Sequence, residues 1–112
     1  MSESDRKFQR ELARLSAAFV DELPFRVQSV SDDMSAWLSA PDEDSLYERL
    51  SHKVHQLKGA GSTFGCPGIS EAALTLEQRL ADCRKGSRFD ELAVAMRLLQ
   101  DEAARLQSGR EL

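Results

Sequence analysis

HKVHQLKGAGSTFG, residues 52–65, holds both histidines of the chain and three of its six glycines. Around it Leu46, Leu50, Val54, Leu57 and Phe64 recur at helical spacing. A glycine inside a helix costs about 1 kcal/mol relative to alanine. Two of them, Gly59 and Gly61, follow closely on His55, so each needs a reason.

At about 100° per residue the segment divides into two faces. Leu46, Leu50, Val54, Leu57, Gly61 and Phe64 share one, which is the core face. His55 points the opposite way, ringed by Glu48, Ser51, His52, Lys58, Gly59 and Ser62. A side chain at i+4 leans back over the turn before it, so Gly59 leaves the imidazole uncovered. Gly61 faces inward, where it permits a neighbouring helix to come close. Gly65, ahead of Pro67, reads as a helix C-terminal signal.

The rest of the chain reads the same way. Strand formers are few: five Val, one Ile, two Thr, one Tyr and one Trp. Pro24, Pro41, Pro67 and Gly86 punctuate five helical segments, near 4–23, 24–39, 42–64, 67–85 and 88–107. Phe8, Leu12, Leu15, Phe19 and Leu23 stripe the first; Val27, Val30, Met34, Trp37 and Leu38 the second. Helical spacing runs on across Pro24, so these two segments are either separate or one kinked helix. Ile69, Ala73, Leu76, Leu80 and Cys83 stripe the fourth; Phe89, Leu92, Met96, Leu99, Ala103 and Leu106 the last. Short connections make successive helices antiparallel. The expectation is a single all-α domain over residues 1–112, an antiparallel four-helix bundle (core about 24–107) with an additional N-terminal helix. The final SGREL is expected to fray, and Asp42-Glu43-Asp44 to cap and charge a helix start.

A net charge of -4 argues against nonspecific nucleic-acid binding. No apolar run is long enough to cross a membrane, and the charged N-terminus is no secretory signal. The expected setting is the cytoplasm, with Cys66 and Cys83 reduced, the first a small loop residue and the second a core residue. No Walker A loop or other phosphate-binding glycine pattern provides an ATP site.

His55-Gln56-Leu57-Lys58-Gly59, followed by Gly65, resembles the H-x-L-K-G signature, with its downstream glycine, of histidine-containing phosphotransfer (HPt) domains; Leu76-Glu77 matches the Leu-Glu of the family's next helix. The resemblance implies a phosphorelay carrier in a multistep two-component system. His55 would accept a phosphoryl group, through Nε2, from the aspartate of a receiver domain and pass it to another response regulator. Lys58 would steady the phosphoryl oxygens and Gly59 give access, while Glu77 or Gln78 holds Nδ1. Glu48, Ser51, His52 and Ser62 would border the docking face. Partners would be response-regulator receivers and a hybrid sensor histidine kinase, met by a monomer with no kinase activity and no cofactor of its own; Mg²⁺ would belong to the receiver.

The basic trio Arg49, Lys53 and Lys58 is either a solvated flank or a guide for an acidic receiver. Two rival readings stand beside the carrier. A helical adaptor explains the small residues but not the histidine at their centre. A metal-binding bundle using His52, His55 and Cys66 lacks a fourth ligand and leaves Lys58 unexplained.

Overall fold

The computed structural model describes residues 2–86 and 89–111, with side chains described as far as residue 109. Four helices follow one another: α1 (Glu3–Ser39), α2 (Asp44–Thr63), α3 (Pro67–Arg84) and α4 (Phe89–Glu111). Each packs on its neighbours in chain order, and α4 closes against α1. Contacts such as Ser29 with Lys53 and Phe19 with Phe64 run in opposite directions along α1 and α2, so the bundle is antiparallel. The stripes supply its core, with Leu23, Leu50, Ile69, Leu76, Leu80, Leu92 and Leu99 fully buried.

The first two expected segments are one helix, with Pro24 inside α1. Proline has no N–H, so the carbonyl four residues back, Val20, loses its helical donor. The Gln107 amide of α4 donates to that carbonyl instead. The break is thereby satisfied and α1 runs on. Its capping box, Ser2 with Asp5, starts the helix well before the bundle does. In consequence Phe8, Leu12 and Leu15, expected in the core, are exposed. Leu38 and Phe89 are also about half exposed, for their helices turn those positions outward.

Further expectations are corrected at the connections. Residues 108–111 continue α4 where fraying was expected, while Leu112 and Arg88 lie outside the described residues. Cys66 lies in the connection between α2 and α3, as expected, and is buried there as the residue preceding α3. Burial pushes its thiol, and that of Cys83, above the usual range. Glu43 precedes α2 without a side-chain cap bond, so the acidic run serves the helix start through charge alone, with Asp44 in the first turn. Gly65 turns the chain at φ +73. A Cβ on Gly61 would sit 2.8 Å from the Ser70 backbone nitrogen, so α2 and α3 meet at a distance only glycine allows.

Asp33 is a buried carboxylate that the apolar pattern did not mark. Lys53 Nζ lies 2.8 Å from it and Arg49 Nε 3.2 Å, and Lys53 also donates to Ser29 at 2.7 Å. Two of the three cations read as a flank or guide are therefore tied to α1. Burial pushes the Asp33 carboxyl up, but Lys53 and then Arg49 outweigh it and hold the group below its ordinary value. Arg49 is more than half exposed, so Lys53 carries most of the pairing.

Asp33→Ala is expected to cost about 1–3 kcal/mol at neutral pH, since it strands Lys53. A folded-state pKa below the unfolded one stabilises above the ordinary carboxylate range and loses that stabilisation as pH falls through the folded value. The gap between wild type and variant in urea unfolding should therefore narrow below about pH 4. A gap that widens in acid would contradict the pairing.

Candidate functional site

Helix α2 carries His55 outward because its core face is fixed by Leu50, Val54, Leu57 and Gly61, all buried. The imidazole side chain is 67% exposed. A Cβ added to Gly59 would meet nothing within 4 Å, so the space beside the ring is open. Glu48, His52, Gln56 and Thr63 share this exposed face. Ser51, at its edge, is half-buried. The Ser62 hydroxyl lies 2.8 Å from Ser70 Oγ, which itself donates to the Lys58 carbonyl. Ser62 therefore helps bind α2 to α3 as well as bordering the histidine.

One side chain of α3 joins the centre. Glu77 Oε2 is 3.0 Å from His55 Nδ1, and its Oε1 accepts from Lys58 Nζ at 2.7 Å. Gln78, one position on, is exposed, and among the described residues the bond to the ring comes from Glu77. The Lys58 bond holds the Glu77 carboxyl below its usual range; burial opposes this, and His55 adds to the lowering. An ionised carboxylate can only accept, so Nδ1 carries the proton and donates it. In the neutral ring Nε2 then holds the lone pair. The tautomer follows from the charge on Glu77.

Beyond the centre, a surface pocket of about 410 Å³ between α2 and α3 is lined by Tyr47, Glu48, Ser51, His52, His55, Glu77 and Arg84. Arg84 lies over the Tyr47 ring at 4.3 Å and bonds Asp44 at 3.2 Å. On the other side of the α2 face, Phe25 and Arg26 of α1 line a groove with Lys53 and Gln56. Phe25 is 78% exposed. Sequence reading missed Arg84, Tyr47, Gln56 and Phe25 as site neighbours. A phenylalanine off the apolar stripe was the one signal available, at Phe25.

Among the described residues no group of three His, Cys, Asp or Glu could hold a metal ion, and Cys66 is not brought to the two histidines. No helix among them is long and apolar enough to cross a membrane. Neither the curated proteins nor the solved structures compared with the chain give a match. The family model described as Hpt domain matches residues 14–109. That span covers most of α1 and all of α2 and α3, and with them His55, Lys58, Gly59 and Glu77. The chain belongs to the Hpt domain family, the histidine phosphotransfer modules of phosphorelays.

Proposed function

We propose that the chain is a phosphoryl carrier of a multistep two-component relay, taking the group onto His55 from a receiver-domain aspartate and passing it to a second receiver. One observation carries this reading: His55 pairs through Nδ1 with the Glu77 carboxylate on a ring that is two-thirds exposed, with nothing within 4 Å of a Cβ at Gly59 one turn on.

The chemistry needs little else. The Nε2 lone pair attacks the phosphorus of an aspartyl phosphate in line, the N–P bond forms, and the P–O bond to the aspartate breaks. The bonding pair returns to the aspartate as carboxylate. No proton moves, because the ring keeps Nδ1–H and takes up positive charge. Glu77 lies where that charge develops and stabilises it. The same step run backwards delivers the group to the next receiver. Lys58 serves through Glu77, keeping it ionised and in place, and its flexible ammonium suits phosphoryl oxygens as a mobile point charge. Mg²⁺ is assigned to the receiver.

The docking face comprises Glu48, His52, Gln56 and Gly59, with Ser51 and Ser62 on its α3 border and the Phe25 groove on its α1 border. A helical adaptor would use the same surface, but it gives no account of a carboxylate that fixes the imidazole tautomer.

The test is incubation with a panel of phosphorylated receivers, scoring acid-labile, base-stable phosphate on the chain. Uptake from none of them would sink the proposal. Within it, Glu77→Ala should slow uptake from phosphoramidate by about tenfold to a hundredfold, the worth of one charge-assisted hydrogen bond of roughly 1.5–3 kcal/mol. Glu77→Gln retains an acceptor and should recover part of the rate. A Glu77→Ala protein as fast as wild type would remove the carboxylate from the mechanism.

A further inference from the structure

Helices α2 and α3 are in tight contact at Gly61. A Cβ there would lie 2.8 Å from the Ser70 backbone nitrogen, 3.1 Å from the Cys66 carbonyl oxygen and 3.2 Å from Ile69 Cγ2. Two of those three atoms are backbone, which cannot turn aside as the end of a side chain can. Beside the contact, Ser70 Oγ donates to the Lys58 carbonyl at 2.9 Å, so its oxygen accepts from the Ser62 hydroxyl across 2.8 Å. Ser70 is thus held on α2 twice, by close packing at its backbone and by a hydrogen bond from its side chain.

The His55–Glu77 pair lies further along the same two helices. From Ser70 to Glu77 is about 10.5 Å along α3, and from Gly61 back to His55 about 9 Å along α2. The helices are antiparallel, with Ser62 against Ser70 at one end and Asp44 against Arg84 at the other. The two strides therefore run the same way and end nearly level. Seven residues turn a helix within about 20° of two full turns, so Ser70 and Glu77 face α2 together. We propose that the Gly61–Ser70 joint sets where Glu77 stands on α2, which makes Gly61 and Ser70 positioning residues for the Nδ1–H tautomer of His55. The functional weight of this rests on reading His55 as the phosphoryl acceptor.

The two bonds of Glu77 respond differently when α3 shifts. Lys58 has a flexible four-carbon stem and follows the carboxylate. The imidazole swings on two torsions only, and its bond to Glu77 already spans 3.0 Å against 2.7 Å for Lys58. A Cβ at 2.8 Å from the Ser70 nitrogen falls about 0.6 Å short of ordinary contact at 3.4 Å, so alanine at position 61 pushes the helices apart. The ring is released before the lysine. Glu77 then stays paired and ionised, but the ring proton is no longer held at Nδ1.

Long-range proton–nitrogen NMR correlation of the His55 ring reads the tautomer in the unphosphorylated protein, at about pH 8.5, above the ordinary imidazole range. The wild type should be held in the Nδ1–H form. Gly61→Ala and Ser70→Ala should each move it toward the mixture of an unpartnered ring. Both should slow uptake from phosphoramidate by about threefold to tenfold, less than Glu77→Ala does. Ser70→Thr keeps the hydroxyl and should stay near wild type. Ala103→Gly is the control: it weakens α4 at a groove shared with Pro24 and Val27 of α1, and should leave the tautomer alone. If Gly61→Ala does not fold, Ser70→Ala decides alone. A chain that takes phosphate from no receiver loses the relay, yet the tautomer measurement still stands by itself. A folded Gly61→Ala or Ser70→Ala protein with the wild-type tautomer overturns the proposal, and so does an equal shift in Ala103→Gly.

Discussion

Replacing His55 by glutamine is expected to take phosphoryl uptake to background from every donor, while the bundle stays intact. The fold part follows from exposure. The ring is two-thirds in solvent, and its tertiary bond among the described residues is to the partly exposed Glu77 carboxylate, which keeps Lys58 as a partner when the ring is removed. The unfolding free energy should therefore move by no more than about 0.5 kcal/mol. The chemical part follows from the lone pair at Nε2, which an amide does not supply. His52→Gln is the matching control. His52 lines the same pocket, one turn earlier on the same face, but has no carboxylate partner at its ring among the bonds of the described residues. It should keep most of the uptake from phosphoramidate. Retained uptake in His55→Gln, with loss in His52→Gln, would move the site to the other histidine.

The orientation of α2 was legible because its pattern contains its own test. Core leucines fix the rotation of the helix, and the two glycines then fall on opposite faces: Gly59 in open space and Gly61 against the Ser70 backbone. Nothing beyond the segment itself was needed. Glu77 and Gln78 are different, because neighbouring positions on α3 differ by about 100°. Choosing between them requires the rotation of one helix relative to another, and only the packed pair provides it. Periodicity also says which face of a helix is apolar, not whether anything lies opposite. The stripe of α1 reads alike from Phe8 to Trp37, yet the bundle covers it only from about Phe19 onward. Contacts between distant residues left no mark in the pattern. Gln107 answers a carbonyl freed by Pro24, and Asp33 is buried because α2 brings Lys53 to it. Arg84 reaches the pocket through Tyr47 and Asp44, residues whose types suggest nothing until α2 and α3 are side by side.

Gly59→Leu should separate access from chemistry. The Cβ of the added side chain meets no neighbour within 4 Å. It replaces a poor helix former by a good one on an exposed face, so the bundle should hold or gain up to about 1 kcal/mol. Its direction is the damaging feature, because a leucine at this position leans back over the preceding turn, toward the His55 ring. A receiver must bring a folded surface and a phosphoaspartate to Nε2 in line, and a few ångströms of obstruction forfeit that alignment. Transfer from the receiver should fall by about a hundredfold or more, some 2.7 kcal/mol of lost transition-state stabilisation. Phosphoramidate is small and needs little clearance, so its reaction with the same variant should stay within about fivefold of wild type, under about 1 kcal/mol. Glu77→Ala makes the opposite pattern, for it damages the nucleophile and should slow both donors alike. A Gly59→Leu protein that loses the two reactions equally would mean that the leucine disturbs the His55–Glu77 bond itself, and the clearing beside the ring would then have no part in receiver access.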